Sequence, residues 1–315
     1  MPLIPQDNSV KTTKSDPQQM VFQVTSPKFS ISELILSKET FDEIETVIKA
    51  QEYWNIVFEE WNLKSVMKQQ RNLFINLFGE PGTGKTMAAH AIANELHKQM
   101  ICVKYADIES KYVGEASKNL TKLFQDALTQ DVIIFFDEAD ALLSKRVTNM
   151  SSSTDVSVNQ TRSVLLTLLN DYTGMVIFAT NFISNYDPAF MRRIQYHIKF
   201  DLPDEKLRNK LWRRYIPPEM PTDADISELA DKYIGISGSD ISNAVLKAAL
   251  KAAKDNAALV KQKYFEDSIS QIIESKKANK NIKSDDMKIT KTEVVPESEV
   301  PADIVKKANE RTGSI

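Results

Sequence analysis

Cysteine is almost absent from this 315-residue chain. With Cys102 alone, no internal disulfide can form, and the chain suits a reducing compartment. Cys102 lies in the apolar run ICVKYA and reads as a buried structural thiol. Histidine is scarce as well: His90, His97 and His197 lack metal-ligand spacing, which leaves them packing or surface roles. No run of about 18 apolar residues occurs, and residues 1–20 hold no signal-peptide core, so neither a membrane span nor export is expected and the chain reads as cytoplasmic. Basic residues do not outnumber acidic ones: 40 Lys and Arg against 43 Asp and Glu leave a net charge of −3. That balance gives no reason to expect nucleic acid or an anionic membrane as partner. Glycine is the telling scarcity, with eight in the whole chain and three of them inside GEPGTGKT, residues 79–86.

What is present is ordinary globular material. Hydrophobic residues make up 42% and charged residues 26%, enough to bury a large core. Residues 1–30 are polar and proline-punctuated and read as a flexible segment. Ser37 is a candidate N-cap for a helix that places Phe41, Ile44 and Ile48 on one face. Further along it, Tyr53, Val57 and Trp61 recur at i, i+4 and i+8, a stripe that reads as core packing. From residue 73 the pattern becomes LFINLF, ICVKYA, VIIFFD, MVIFAT and YHIKF, separated by helical stretches. Five nearly continuous apolar runs predict a parallel five-stranded α/β sheet covered by helices on both faces, within a domain spanning 31–203. Residues 204–275 turn wholly helical and predict a small all-α domain. Residues 276–315 are charged, almost free of aromatics, and read as a disordered tail.

The glycines explain themselves chemically. Gly79, Gly84, Lys85 and Thr86 fill the pattern G-x-x-x-x-G-K-[ST], between an apolar strand and a helical stretch. A chance match for this composition is on the order of a few in a thousand, so the match is a signal. Glycines let backbone N–H groups close around phosphate oxygens, and the helix N-terminus adds positive potential. Lys85 is suited to the β- and γ-phosphates of ATP and the Thr86 hydroxyl to Mg²⁺. The run VIIFF then ends in Asp137 and Glu138, an acid for the metal shell and one to polarise an attacking water. The letters that follow spell DEAD, but a DEAD-box helicase needs a second nucleotide-binding fold, a Ser-Ala-Thr motif and a late His-Arg-x-Gly-Arg-type motif. None of these occurs in the sequence.

The ordered set GEPGTGKT, IIFFDEAD, FATN, DPAFMRRI and GISGSDI instead resembles the AAA+ ATPases, within their katanin- and spastin-like branch, over roughly residues 35–275. The resemblance implies a P-loop NTPase fold followed by a lid. It assigns nucleotide contacts to Gly79, Pro81, Gly82, Thr83, Gly84, Lys85, Thr86, Met87, Asp137, Gly238 and Ser239, with Thr86 and Asp137 on the metal. Glu138 becomes the water-activating base and Asn181 the residue that orients that water. Arg192 and Arg193 become arginine fingers reaching a neighbour's γ-phosphate, which implies a homo-oligomeric ring, usually a hexamer. Lys111, Tyr112 and Val113, ahead of Gly114, match the loop that grips a protein substrate in the ring's pore, where an aromatic can hold any extended chain. The polar stretch at 146–160 is a second candidate pore loop. The resemblance thus implies an ATP-driven machine that remodels a protein substrate. A nucleic-acid loader or a nucleotide-gated scaffold is the alternative from another class. Small bacterial members similar to the pachytene-checkpoint ATPases open HORMA-domain proteins, some in antiphage signalling, so a HORMA-domain protein is one expected partner. Their pore motif carries tryptophan where this chain has Tyr112. The chain also departs from its branch at Glu80, where a small residue or proline is usual, and lacks the Asp-Ile-Gly-Gly-like stretch that supplies adenine contacts.

Overall fold

A computed structural model describes residues 22–66, 72–108, 115–145, 153–181 and 186–286. The chain runs β1 (Val24–Thr25), α1 (Lys38–Asn55), β2 (Leu73–Gly79), α2 (Lys85–Glu95), β3 (Met100–Lys104), α3 (Tyr105–Ile108) and α4 (Glu115–Gln130). It continues through β4 (Ile133–Asp137), α5 (Asp140–Leu143), α6 (Ser153–Asp171), β5 (Met175–Thr180), α7 (Pro188–Met191) and β6 (Tyr196–Phe200). Four helices complete it: α8 (Glu205–Tyr215), α9 (Ile226–Lys232), α10 (Gly238–Lys254) and α11 (Gln262–Asp286).

All five expected strands form, in the parallel order β3-β4-β5-β2-β6. A sixth was not anticipated: within the segment expected to be flexible, Val24 and Thr25 pair antiparallel with Ile101 and Met100 on the outer edge of β3. Two residues suffice because Val24 also packs on the core, an interaction too short to leave a periodic trace in sequence. The tail expectation shifts likewise, since α11 continues helical to Asp286.

Alternation along the strands divides the core into two layers. Phe74, Ile134, Phe136, Val176 and Phe178 join α4 and α6 on one face, while Ile75, Leu77, Ile133, Phe135 and Ile177 meet α1 and α2 on the other. Burying both faces is what makes the strands read as unbroken apolar runs. Cys102 is an exception: the expected buried thiol is exposed, because its face of β3 is covered at Met100 but open at Cys102 and Lys104.

Helix α1 begins as expected, with Ser37 Oγ accepting from the Thr40 N–H at 3.2 Å and with Ile44 and Ile48 buried. The stripe beyond it does not enter the core, and Tyr53 and Trp61 are 49% and 68% exposed. Beyond Tyr53 the helix passes into a π-helical turn over Ile56–Glu60, whose wider turn carries Trp61 out of the i, i+4 row. Trp54 and Phe58 stack on each other there, ring centroids 4.1 Å apart.

The helical region folds around its own core, where Trp212 meets Phe265 edge-on at 6.2 Å and packs near Ile241 and Ala244. It starts where the sequence break lies: Asp204 caps α8 by accepting from Leu207 N–H at 2.8 Å. Buried Arg208 ties α8 to the carbonyls of Pro203 and Ala230 at 2.9 and 2.8 Å. Trp212→Ala is expected to destabilise this domain by about 3–5 kcal/mol; an unchanged denaturation midpoint would contradict Trp212 as its packing centre.

Candidate nucleotide site

Parallel strands present their carboxyl ends on one edge, where ligands of such sheets bind. Here β5 lies between β4 and β2, so the residues that end those three strands meet. The connection after β2 must turn sharply beneath the neighbouring strand. Gly79, at φ +147°, lies so close to Phe200 that a Cβ would sit 2.0 Å from its carbonyl oxygen. Only glycine fits there. The loop then rises into α2, whose N-terminus is Lys85.

Lys85 is 8% exposed. Its ammonium donates to the carbonyls of Gly79 and Glu80 at 2.8 and 2.9 Å, and to Asn181 Oδ1 at 3.1 Å. Burial lowers its pKa, opposed by the charges of Asp140, Asp137 and Glu80. Beside it, Thr86 Oγ1 and Asp137 Oδ2 approach within 3.4 Å. Mg²⁺ is commonly held by one or two protein groups and by phosphate oxygens. Thr86 and Asp137 fit that role.

Glu138 follows at the tip of β4 with φ +54°, the left-handed region that costs a non-glycine residue roughly 1–3 kcal/mol and clusters at functional sites. Its N–H donates to Asp137 Oδ1 at 3.0 Å, and its side chain is exposed toward the cavity it lines.

A cavity of ≈ 680 Å³ gathers Pro81, Gly82, Thr83, Gly84, Lys85, Thr86 and Met87 with Asp137, Glu138, Asn181, Gly238 and Ser239. The lid residues arrive through a capped helix start: Ser237 and Asp240 form a reciprocal capping box at the head of α10. Ser239 N–H then donates to the Gly82 carbonyl at 3.2 Å. A Cβ at Gly82 would stand 2.7 Å from Ser237 Oγ and from Ser239 Oγ, so glycine is what lets cradle and lid touch.

The cavity's apolar wall escaped sequence reasoning. Leu34, Leu36, Leu207, Leu211 and Tyr215 line it, an extended strip ahead of α1 facing one stripe of α8. Leu207, Leu211 and Tyr215 recur at i, i+4 and i+8, which was a legible signal for a second buried face. Arg214 and Glu33 pair across this part at 3.5 Å. The wall supplies an apolar surface suited to a planar base, in place of the missing Asp-Ile-Gly-Gly-like stretch.

Arg192 and Arg193 do not line this cavity. The Arg193 guanidinium is held within its own chain, by Asn170 Oδ1 at 2.8 Å and the Ala189 carbonyl at 2.7 Å. Arg192 is exposed, and its side chain makes no hydrogen bond among the described residues. Their segment is anchored from below, where Tyr186 donates to Thr180 Oγ1, which donates to Asn76 Oδ1 at 3.2 Å. Burial pushes the Tyr186 phenol up to about 12, keeping it a donor. Lys111, Tyr112, Val113 and Gly114 lie outside the described residues, as do 146–152 of the second candidate loop. His90 is a packing residue whose Nδ1 accepts from Lys28 N–H at 3.3 Å.

Residues 75–202 match the ATPase family associated with various cellular activities (AAA), and residues 223–267 match the AAA+ lid domain. Among curated relatives, a putative 26S proteasome regulatory subunit homolog of Methanocaldococcus jannaschii is 32% identical over 74% of this chain and 61% of its own length. A cell division cycle protein 48 homolog of Archaeoglobus fulgidus is 34% identical over 64% of this chain and 28% of its own length. The proteasome-activating nucleotidase of Saccharolobus islandicus is 33% identical over 62% of this chain and 52% of its own length. The chain thus spans less than two thirds of each. No helix among the described residues is long and apolar enough to cross a membrane. Gly82→Ala is expected to weaken nucleotide affinity at least tenfold by forcing the lid serines away. Equal affinity in a fluorescent-nucleotide titration would contradict the cradle–lid contact.

Proposed function

From a chain that carries an AAA ATPase domain followed by an AAA+ lid domain, we infer an ATP-hydrolysing ring that remodels or unfolds a protein substrate. The observation that carries this reading is the convergence of Lys85, Thr86, Asp137, Glu138 and Asn181 on one cavity, with Arg192 exposed and outside its lining.

The cradle N–H groups and Lys85 hold the triphosphate, and the apolar wall takes the base. Thr86 and Asp137 would hold Mg²⁺, which would supply charge neutralisation on the phosphate oxygens. Glu138 accepts a proton from the attacking water, and Asn181 orients that water beside Lys85. Arg192, free among the described residues, is the finger that completes the pocket of the next subunit. Arg193 holds the segment in place through Asn170. Each site is then finished by a neighbour, head to tail around a closed ring, and a hexamer is the expected closure.

Tyr112, flanked by Lys111 and Val113, grips the substrate in the pore. Two finer points belong to the same reading. The adjacent Arg192–Arg193 pair supports a place near the katanin- and spastin-like branch, whereas the relatives above are named for proteasome regulation and for cell division cycle protein 48. Protein threading is compatible with either. A HORMA-domain protein is one candidate substrate. Specific retention of such a domain by the ATP-bound ring would support it, and equal retention of unrelated unfolded proteins would remove it.

Glu138→Gln is expected to keep ATP affinity and lower turnover by about 10²–10⁴; normal turnover would overturn the role of Glu138. Tyr112→Ala is expected to keep basal turnover and lose substrate remodelling, measured as ATP-dependent release of a bound protein's tertiary structure. Remodelling at the unaltered rate would remove the gripping role.

A further inference from the structure

The last acid of the DEAD turn has entered so far only as a charge near Lys85. The Asp140 carboxylate receives the Asn181 backbone N–H at both oxygens, at 3.1 and 3.3 Å. One residue earlier, Ala139 N–H donates to the Ala179 carbonyl at 2.9 Å. The strand pairing itself stops at Phe136 with Phe178. These bonds therefore continue the attachment of β4 to β5 beyond the last strand pair, through the residues that carry Glu138 and Asn181. Ala139 is buried and packs in the core, so the turn is fixed on its inner side. Asn181 emerges at the other end of this clamp, with its side-chain oxygen 3.1 Å from Lys85 Nζ.

We propose that Asp140 is a positioning residue that sets Asn181, and through it the attacking water, in register with Lys85 and Glu138. The proposal rests on the hydrolysis reading above. An aspartate suits the task because two acceptor oxygens hold one N–H against sideways movement, and a charged acceptor makes the stronger hydrogen bond. Reaction rates are steep in such placement: an error of about 1 Å at a reacting group can cost about 10²-fold. Asp140 also stands at the first position of α5, where a carboxylate has a bland use in stabilising a helix start. The test must separate these two roles.

With the full chain, Asp140→Ala is expected to lower kcat for ATP by about tenfold to a hundredfold, with KM and fluorescent-nucleotide affinity within about twofold. Asp140→Asn keeps one neutral acceptor oxygen in place of two charged ones and is expected to recover part of the loss. In single turnover, adding Asp140→Ala to Asn181→Ala is expected to cost nothing further, since Asp140 works through Asn181. An unchanged kcat in Asp140→Ala would overturn the proposal. So would multiplicative losses in the double variant, or a joint fall of kcat, affinity and Tm that Asp140→Asn does not repair. Glu138→Gln run alongside separates the two levels: normal turnover there sinks the hydrolysis reading itself, whatever Asp140 does.

Discussion

A buried ammonium must find oxygen atoms to replace its water, and Lys85 finds three within about 3 Å: two carbonyls of its own loop and the Asn181 amide. Those bonds constrain much of the site. They require the loop to fold back over Gly79, which requires a glycine against Phe200. They also require β5 to end beside β2, so that Asn181 comes within reach. Unpaired burial of such a charge would be costly, so the cradle and the sheet edge hold one another in shape.

The same economy governs the cavity's outer half. The lid does not merely follow the sheet in sequence; it touches the cradle through Ser239 and Gly82 and faces the strip at Leu34–Leu36 with α8. A ligand that contacts the cradle, the strip and the lid stabilises their mutual arrangement by its differential affinity for it. Arg208, hydrogen-bonded to the carbonyls of Pro203 and Ala230, ties α8 to the residues before it and to α9. The arginine segment is likewise fixed to the site of its own subunit through Tyr186, Thr180 and Asn76. Thr180 directly precedes Asn181. The pocket and the segment that carries Arg192 therefore share a support.

Much of this was legible in sequence because the determinants are local. Five apolar runs gave five strands, and GEPGTGKT, the acids after VIIFF and Asn181 after MVIFAT fell where strand ends must fall. What was not legible depends on tertiary placement. The two-residue strand at Val24 is too short to show a period. Cys102 sits in an apolar run yet on an exposed stretch of β3. Tyr53 and Trp61 keep helical spacing but stay exposed, Tyr53 within α1 itself and Trp61 just past the π-helical turn. The base-side wall combines residues nearly two hundred positions apart. Arg192 and Arg193 look equivalent as letters; only the fold shows that one guanidinium is tied to Asn170 and the other is exposed. Asp140 hid behind its more familiar neighbours.

The central claim is that each pocket is completed by Arg192 of another copy, and complementation tests it most directly. Arg192→Ala and Glu138→Gln proteins, each expected to be nearly inactive alone, are mixed in equal amounts and assayed for ATP turnover. If sites are shared across a ring, pockets pairing an intact Glu138 with an intact Arg192 form by chance at about one interface in four. The mixture should then hydrolyse ATP far faster than either protein alone, up to about a quarter of the unmodified rate. A mixture no faster than the average of its two components would contradict the account, as would full activity of Arg192→Ala by itself.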